Sequence, residues 1–378
     1  MNLRKTALKS LAVIIAVISI PLGVWGWNKL SPQMIKAASA SAGIALGDYS
    51  LNLSSSFDLF DSLSEVEQLS ISRQKAWDID MAPQEIEVKT NTFTQPKPSK
   101  EVINAIPYPE NLNDHDGDIE EFHYGTYDGK QYINLDDGGQ IRNCTSLSND
   151  LVYNECKKDY DFEIDPESDE PQILIYHTHA TESFELTERD FYDKTFSSKT
   201  TDPNKSIIAV GDEICKQLEE AGVPYIHDTL VHDYPSYTGA YQSSRATVQE
   251  LLKKYPSIKI ALDIHRDGIE KQDGTRLSPV VEIDGKKAAQ IMIINGCDDG
   301  TMNMPNYLKN LHFASNLQSK LETSYNGLTR PILFDYRFYN QDLTTGSLLI
   351  EVGSHGNSLE QVKYSGELIG KTLAKYFK

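Results

Sequence analysis

The chain has 378 residues, including four cysteines; 39% of the residues are hydrophobic, 24% are charged, and the net charge is −19. The length corresponds to about two domains, and the apolar content is sufficient for a hydrophobic core, which excludes wholesale disorder. The acidic balance, without a basic run, argues against nucleic-acid binding, and the cysteines are too few for a disulfide-stapled miniprotein.

The N-terminus combines a basic tip with a long apolar segment. Arg4, Lys5 and Lys9 precede residues 11–27, an uncharged apolar run about as long as the shortest membrane-spanning helices. A cleaved signal peptide is the alternative, but it requires small residues soon after the apolar run, and the small-residue stretch 37–40 begins well beyond it. We therefore predict an uncleaved, single-pass membrane anchor, and the positive-inside rule places the rest of the chain outside the cytoplasm.

The segment after the apolar run has the composition of a stalk. Ser and Ala are frequent, and residues 91–100 are polar and contain two prolines, which is typical of an extended linker. Two hairpin signals, Asp128-Gly129 and Gly138-Gly139, then indicate a small β-rich segment that ends in the acidic run 159–170. The predicted division is 1–30 for the cytoplasmic tip and membrane anchor, 31–105 for the stalk and linker, 106–170 for the β-rich segment and acidic linker, and 171–378 for a catalytic domain.

Strands and helices alternate from residue 172 onward. Short apolar runs predict strands, and longer runs with helical periodicity predict helices, of which the first ends at Gly222. This alternation predicts an α/β fold with three layers, in which helices flank a mostly parallel, twisted sheet. The predicted strands are 173–176, 223–226, 258–264, 290–295 and 347–352, and the predicted helices are 207–222, 241–255, 306–325 and 366–377.

Polar residues that are able to bind metal follow three of these strands. His179 and Glu182 come after the first strand, His265 comes after the strand ALDI, and Glu351 ends the apolar strand SLLI. The working residues of open α/β sheets lie at the carboxyl ends of strands. Two imidazoles and a carboxylate fill three positions of a tetrahedral zinc site and leave the fourth for water. We predict a Zn²⁺ hydrolase site formed by His179, Glu182 and His265.

Glu351 is the candidate for the catalytic base of this site. Zinc lowers the pKa of a bound water, and a carboxylate that is not a ligand must take its proton. An acid that ends an apolar strand is costly unless it is used or paired, and burial there raises its pKa toward neutrality. Each of these four candidate residues, taken alone, also has a purely structural explanation. An isolated histidine at a strand end, for example, often only hydrogen-bonds to a backbone carbonyl.

Further residues are candidates for the surroundings of the site. His177 shares a strand face with His179, so it either replaces His179 as a ligand or supports the ligands from behind. Arg266 and Arg330 are candidates to bind a substrate carboxylate or the developing oxyanion, and His355 is a candidate to line the cleft. The polar loop 339–342, which contains Asn340 and Gln341, is predicted to form a cleft wall.

Two other groups of residues have alternative interpretations. His227 and His232, in the sequence HDTLVHD, either bind metal or lie in a solvated loop, and we favour the loop. Cys144 and Cys156 are close enough in sequence for a local disulfide, whereas Cys215 and Cys297 are expected to be buried thiols.

Four ordered blocks, ILIYHTHATESF, ALDIHRDG, YNQDL and LLIEVGSHGN, resemble the stage II sporulation protein P family of endospore-forming bacteria. The resemblance covers residues 120–378 well, and the earlier part only in its layout. That family is similar to zinc-dependent N-acetylmuramoyl-L-alanine amidases, and its members are described as peptidoglycan hydrolases with amidase and endopeptidase activity. They act on the mother-cell side of the sporulation septum during forespore engulfment, together with stage II sporulation proteins D and M.

The resemblance implies that His179, Glu182 and His265 are zinc ligands and that Glu351 is the catalytic acid/base. Related amidases often take their carboxylate ligand from the start of the helix after the first strand, where this chain has Asp202 and Asn204. A zinc peptidase that cuts peptide cross-links uses the same metal site and remains an alternative activity. A non-enzymatic scaffold that binds septal peptidoglycan is the alternative of a different class.

Overall fold

A computed structural model describes residues 105–377. The predicted anchor, and the predicted stalk up to residue 104, lie outside the described residues, so both stay predictions. Between residues 105 and 377, no helix is long and apolar enough to cross a membrane.

An eight-stranded sheet forms the centre of the described part. Its strand order is β2-β3-β11-β10-β12-β7-β4-β6, and only the β2–β3 and β10–β12 pairs are antiparallel. The mostly parallel α/β sheet is therefore confirmed. A second sheet has four strands in the order β5-β1-β8-β9. The strands are β1 (Gly117–Phe122), β2 (Tyr132–Asn134), β3 (Gln140–Asn143), β4 (Ile173–Tyr176), β5 (Phe191–Tyr192), β6 (Tyr225–His227), β7 (Ile260–Asp267), β8 (Arg276–Ile283), β9 (Lys286–Ala289), β10 (Ile291–Gly296), β11 (Ile332–Asp335) and β12 (Gly346–Ser354).

Helices cover both faces of the large sheet, which gives the predicted three layers. The helices are α1 (Asn149–Cys156), α2 (Ile208–Glu220), α3 (Ala240–Lys254), α4 (Tyr307–Ser324) and α5 (Leu359–Ala374), followed by a 3₁₀ turn, Lys375–Phe377. The main core contains the apolar residues of α2, α4 and α5, and a second cluster on the opposite face contains those of α3. Ile173 and Ile175 of β4 belong to the main core and Leu174 and Tyr176 to the second cluster, as the strand period of two requires.

The same alternation decides which side chains of β7 and β12 face the α3 side. Ile264 and Ile350 lie in the main core. Their neighbours His265 and Glu351 therefore point to the opposite face. His265 and Glu351 are also register partners across the parallel β7–β12 pair. The sheet thus places a candidate ligand and the candidate base side by side.

Both of these strands are longer than predicted. β7 continues to Asp267, so His265 lies within the strand rather than after its end, and β12 continues past its predicted end at residue 352 to Ser354. Polar residues within a strand resemble the end of an apolar run in the sequence, but the backbone pairing continues through them. The predicted strand ends are wrong for this reason.

Helix α5 begins seven residues earlier than its predicted start at residue 366, at Leu359. Ser358 accepts a hydrogen bond from the backbone N–H of Gln361, and the Gln361 side chain accepts one from the backbone N–H of Ser358. This capping box satisfies donors at the helix start. The Ser-x-x-Gln signal was present in the sequence, but the expected start was placed at a later glycine. The prediction also lacked α1, β11 and the β8–β9 hairpin.

The structure differs from the predicted division at residues 170 and 171. β2 and β3 are the outer strands of the sheet that residues 173–354 complete, and β3 pairs in parallel with β11. β1 pairs in parallel with β8 of the second sheet. The strands before residue 170 therefore belong to the same two sheets as the later ones.

The local disulfide between Cys144 and Cys156 is not formed. Cys144 packs against a cluster that contains Met292 and Leu333, whereas Cys156 packs against the main core. The two thiols thus belong to different packing environments, although they are close in sequence. Cys215 and Cys297 are buried, as expected.

Helices α2 and α5 approach each other closely because α5 carries glycine where they touch. A Cβ atom at Gly370 would lie 2.6 Å from the backbone oxygen of Ile214 and 2.8 Å from Cβ of Gln217. We expect Gly370→Ala to destabilise the protein by about 1–2 kcal/mol, because overpacking against backbone outweighs the gain of about 1 kcal/mol in helix propensity. Denaturant unfolding measures this change, with exposed Lys371→Ala as the control. An unchanged or higher midpoint for Gly370→Ala would contradict the close helix contact.

Candidate metal centre

Three buried residues come together at the carboxyl end of β4. His179, Glu182 and His265 each offer a ligand atom, and these atoms lie within 4.8 Å of one another. Nδ1 of His179 is 3.7 Å from Oε1 of Glu182, and Nδ1 of His265 is 3.8 Å from Oε2 of the same carboxylate. The three predicted ligands are therefore neighbours in space.

The turn that carries His179 and Glu182 is held by two buried carboxylates. Asp263 of β7 accepts hydrogen bonds from the backbone N–H of Thr178, at 2.8 Å, and from its hydroxyl, at 2.6 Å. Asp233 accepts two further hydrogen bonds, from the backbone N–H and the hydroxyl of Thr181. These contacts fix the backbone on both sides of His179.

The three residues fit zinc in chemistry and in spacing. Zinc is bound by imidazole and carboxylate groups, and in a tetrahedral site with bonds of about 2.0–2.1 Å neighbouring ligand atoms are roughly 3.4 Å apart. The two distances to Glu182 are a few tenths of an ångström longer than this. Asp202, the alternative carboxylate, instead lies 3.4 Å from Lys205 and accepts hydrogen bonds from Asn204. It is not part of the cluster.

Asp263 also lies against His265, although it was not among the site residues predicted from the sequence. Its Oδ1 is 2.8 Å from Nε2 of His265, while Nδ1 of His265 is the ring atom near Glu182. A carboxylate behind a metal-binding histidine fixes the ring and raises its basicity. The signal in the sequence was an acidic residue inside the apolar strand ALDI.

Asp263→Asn is expected to weaken zinc binding about tenfold to a hundredfold, because it removes the charge that supports His265. The amide keeps the size of the carboxylate, so the fold should be retained. Zinc affinity measured by competition with a chelator tests this. Asp228→Asn is the matched control, since Asp228 is equally buried and contacts His232 instead. Equal losses in both variants would contradict a role for Asp263 at the metal site.

The charges around His265 would make the affinity of this site for zinc depend on pH. Burial opposes the imidazolium, but Asp263 and Glu182 outweigh burial and raise the pKa of His265 to about 9 in the metal-free protein. A zinc ion that binds His265 would have to displace this proton. We therefore expect zinc affinity to rise about tenfold per pH unit between about pH 7 and pH 9 and to level off above the pKa. The same competition titration across this range tests the slope, and Asp263→Asn should move the plateau to lower pH. A zinc affinity that does not change with pH in the unaltered protein would contradict this prediction.

Glu351 has the protonation behaviour of an acid/base near neutral pH. Burial, followed by the charge of Asp267, raises its pKa to about 8, although His265 and Arg330 act in the opposite direction. Glu182 behaves differently, because His179 and His265 outweigh its burial and hold its pKa at about 2. One carboxylate thus stays ionised beside the histidines, while the other can gain and lose a proton.

An open cleft of about 990 Å³ leads to these residues. His179, Glu182, His265 and Glu351 all line it. Several aromatic rings surround the imidazoles; Tyr237, for example, stacks on His179 with a centroid distance of 4.5 Å. Other residues that line the cleft are Lys199, Tyr241, Glu270, Arg276, Met302, Tyr336, Phe338 and Tyr339.

Of the four further candidates with a charged or titratable side chain (His177, Arg266, Arg330 and His355), two line the cleft. Arg266 lines it, and its backbone N–H donates to Oε2 of Glu182 at 3.0 Å. His355 lines it as well and contacts Glu270 at 2.9 Å, and burial lowers its pKa to about 4. Arg330 does not line the cleft. It is buried and donates a hydrogen bond to Asp267 at 2.8 Å. It affects the site through charge, not through contact with the cleft.

The structure places the other candidates behind the cleft. His177 contacts the carbonyl of Ile264 at 3.0 Å and His227 at 2.9 Å, so it is not grouped with the ligands. The Asn340 amide donates to the carbonyl of Tyr241 at 3.2 Å, and the Gln341 amide donates to that of Ile294 at 2.8 Å. The loop 339–342 reaches the cleft through Tyr339.

The favoured interpretation of HDTLVHD as a solvated loop is wrong. His227 and His232 are both buried. His232 contacts Asp228 at 2.9 Å and the hydroxyl of Ser243 at 2.8 Å, and His227 lies 3.2 Å from Asp212. The polar residues of this segment thus make buried contacts with α2 and α3, whereas their polarity indicated exposure to solvent.

Comparisons with known proteins agree with the blocks in the sequence. A family model described as stage II sporulation protein P matches residues 66–374. Stage II sporulation protein P of Bacillus subtilis (strain 168) is 29% identical over 220 residues, which are 55% of this chain and 52% of that protein. The match thus spans about half the length of that curated relative.

Solved structures similar to the chain include two amidases. The N-acetylmuramoyl-L-alanine amidase AmiC2 of Nostoc punctiforme is 11% identical, with a TM-score of 0.32, and the match covers 55% of this chain and 94% of that one. The CwlD amidase from Clostridioides difficile, in complex with the GerS lipoprotein, is 12% identical with a TM-score of 0.32, over 54% of this chain and 98% of that one.

Proposed function

This chain belongs to the stage II sporulation protein P family, and we propose that it is a zinc-dependent peptidoglycan hydrolase that acts during sporulation. Its proposed reaction is hydrolysis of the amide between N-acetylmuramic acid and L-alanine, with cleavage of peptide cross-links as a second activity of the same site. We further propose that residues 1–30 anchor it in the membrane, with the catalytic part outside the cytoplasm on the mother-cell side of the septum. Stage II sporulation proteins D and M are the proposed partners.

The observation that carries this proposal is the grouping of His179, Glu182 and His265 beside Glu351 in one open cleft. Three ligands leave one position of a tetrahedral ion for water or substrate, which is the arrangement of catalytic zinc sites. A structural zinc site, in contrast, is closed by a fourth protein ligand. The open cleft of about 990 Å³ is large enough to admit a peptide bound to a sugar.

Zinc held by these residues would supply Lewis acidity and lower the pKa of a water molecule at the site. Glu351 accepts the proton of the attacking water as the new carbon–oxygen bond forms. It then donates that proton to the nitrogen of L-alanine as the carbon–nitrogen bond breaks. With a pKa of about 8, the Glu351 carboxyl is suited to both proton transfers near neutral pH.

Arg266 has a place in the same sequence of events. It lines the cleft, and its backbone N–H donates a hydrogen bond to one oxygen of Glu182. A cation near the scissile carbonyl stabilises the negative charge that develops on its oxygen. We assign Arg266 this role, in addition to the orientation of Glu182.

The decisive experiment incubates the full chain with purified peptidoglycan and identifies the released fragments by mass spectrometry. The reaction is run with a chelator, and then with zinc added back. Release of free stem peptides that requires zinc supports the amidase, and cleavage of cross-links alone supports the peptidase. If nothing is released and no zinc binds, the proposal fails and a scaffold that binds peptidoglycan replaces it.

A further inference from the structure

A buried arginine that the metal site does not use lies in the same cleft. Arg276, the first residue of β8, is 7% exposed and lines the cleft. Its guanidinium stacks on Tyr192, with Cζ 3.6 Å from the ring centroid. Stacking leaves the donor-bearing edge of a guanidinium available for a planar acceptor such as a carboxylate.

The hydrogen bonds of Arg276 are far from complete. Within residues 105–377, Arg276 makes a long hydrogen bond, from Nη1 to the hydroxyl of Ser198 at 3.3 Å, and its buried Nε makes none. A guanidinium has five N–H donors. Unsatisfied donors at a cleft are costly to bury unless a ligand completes them.

Two neighbouring carboxylates do not fill this role. Glu185 is 3.7 Å and Glu270 3.8 Å from Arg276, which is beyond hydrogen-bond distance. Each has a closer partner, because Glu185 binds Arg189 and Glu270 contacts His355 at 2.9 Å. Burial lowers the pKa of Arg276 despite both carboxylates, so they do not fully offset the desolvation of its charge.

Arg276 lies near a second arginine, Arg266, in the cleft. Arg266 approaches the carbonyl of Ser198 at 3.4 Å, so both arginines reach the same residue. Both line the cleft, and we call them the arginine pair. In a chain with a net charge of −19, such a pair favours an anionic ligand at this place.

We propose that Arg276, assisted by Arg266, binds a free carboxylate of the peptide part of the substrate and thereby selects acidic stem peptides. This inference rests on the proposed function. An arginine fork holds a carboxylate through two charged hydrogen bonds, which fixes both position and orientation. Binding of the peptide on this side would present the preceding amide bond to Glu351 and the metal site.

The test compares two probes that differ only in charge. The probes are N-acetylmuramoyl-L-alanyl-D-glutamate and the same compound with both glutamate carboxylates converted to carboxamides. Their affinities are measured by calorimetry on the zinc-loaded full chain carrying Glu351→Gln, so that neither probe is consumed. We expect the acidic probe to bind about tenfold to a hundredfold more tightly than the diamide.

Adding Arg276→Gln should abolish most of this preference and leave the affinity for the diamide nearly unchanged. Arg276→Lys keeps the charge and should retain part of the preference, and it serves as the second variant if Arg276→Gln fails to fold. Arg245→Gln is the matched control, because Arg245 pairs with Asp342, does not line the cleft and leaves the Glu185–Arg189 pair intact. The ratio of its affinities for the acidic probe and the diamide should equal that of the protein that carries Glu351→Gln alone.

Three results would overturn the subsite: no preference in the protein that carries Glu351→Gln alone, equal weakening of both probes by Arg276→Gln, or the same loss in Arg245→Gln. Failure of the proposed function gives a different pattern. In that case, the chain with Glu351 intact releases nothing from peptidoglycan, yet the preference for the acidic probe and its dependence on Arg276 persist. Release of fragments together with no preference would leave the hydrolase standing and remove the subsite.

Discussion

Glu351→Gln is expected to reduce the release of stem peptides by at least about a thousandfold while zinc stays bound. The amide has the size of the carboxylate but cannot accept the proton of the attacking water. Glu351 is not one of the three grouped ligands, so the metal site should keep its composition. The measurements are the initial rate of fragment release and the zinc content of the same preparation.

Glu270→Gln is the matched control for this substitution. Glu270 also lines the cleft, but its neighbours are His355 and Arg276, not the metal ligands. It should retain most of the rate at saturating substrate. If Glu351→Gln cleaves at the full rate, Glu351 is not the base; if it loses zinc, Glu351 belongs to the metal site itself.

His179→Ala is expected to abolish stoichiometric zinc binding and, with it, the release of any fragment. Removal of one of three ligands leaves an imidazole and a carboxylate, which are too few for a stable zinc site. Zinc content after dialysis against a metal-free buffer measures the effect. Added zinc should not restore activity in this variant, although it restores the chelated parent protein.

His177→Asn is the control that distinguishes the roles of His177 and His179, the two histidines of the His-Thr-His sequence. The ring of His177 contacts His227 and the carbonyl of Ile264, so this variant should keep its zinc even if it unfolds at lower temperature. Retention of zinc by His179→Ala together with its loss from His177→Asn would exchange their roles. Circular dichroism shows whether each variant is folded before zinc is measured.

The arrangement of the sheet was predictable because apolar runs and their alternation with helices determine it. α2, α3 and α4 each lie within a residue of their predicted starts, and Gly222, with φ 74°, follows the end of α2. The strands β8 and β9, which were not predicted, form because of their neighbours in the folded chain rather than because of their own sequence pattern. Arg276 and Lys286 begin β8 and β9 with charges, so these strands lack the apolar pattern that identifies a buried strand.

The grouping of His179, Glu182 and His265 was predictable for a different reason. His179 and Glu182 follow the apolar strand β4, His265 lies near the end of β7, and the carboxyl ends of parallel strands meet at one edge of the sheet. The supporting residues were not predictable, because a buried carboxylate in a sequence gives no indication of its partner. Asp263 bonds to a turn 85 residues away, and only the folded chain shows that this turn carries His179.

The pairing of β1 with β8 has a consequence for any cut in the chain. Ile119 of β1 is the register partner of Arg276, so the strand that carries this arginine is supported by residues far upstream of the metal ligands. A protease that nicks the acidic stretch 159–170 would leave two fragments joined by the β1–β8 and β3–β11 hydrogen bonds. Removal of the upstream fragment would expose β8 and β11 as unpaired edges. Strands β1 and β3 therefore support the strands behind the cleft through hydrogen bonds that do not require an intact peptide link.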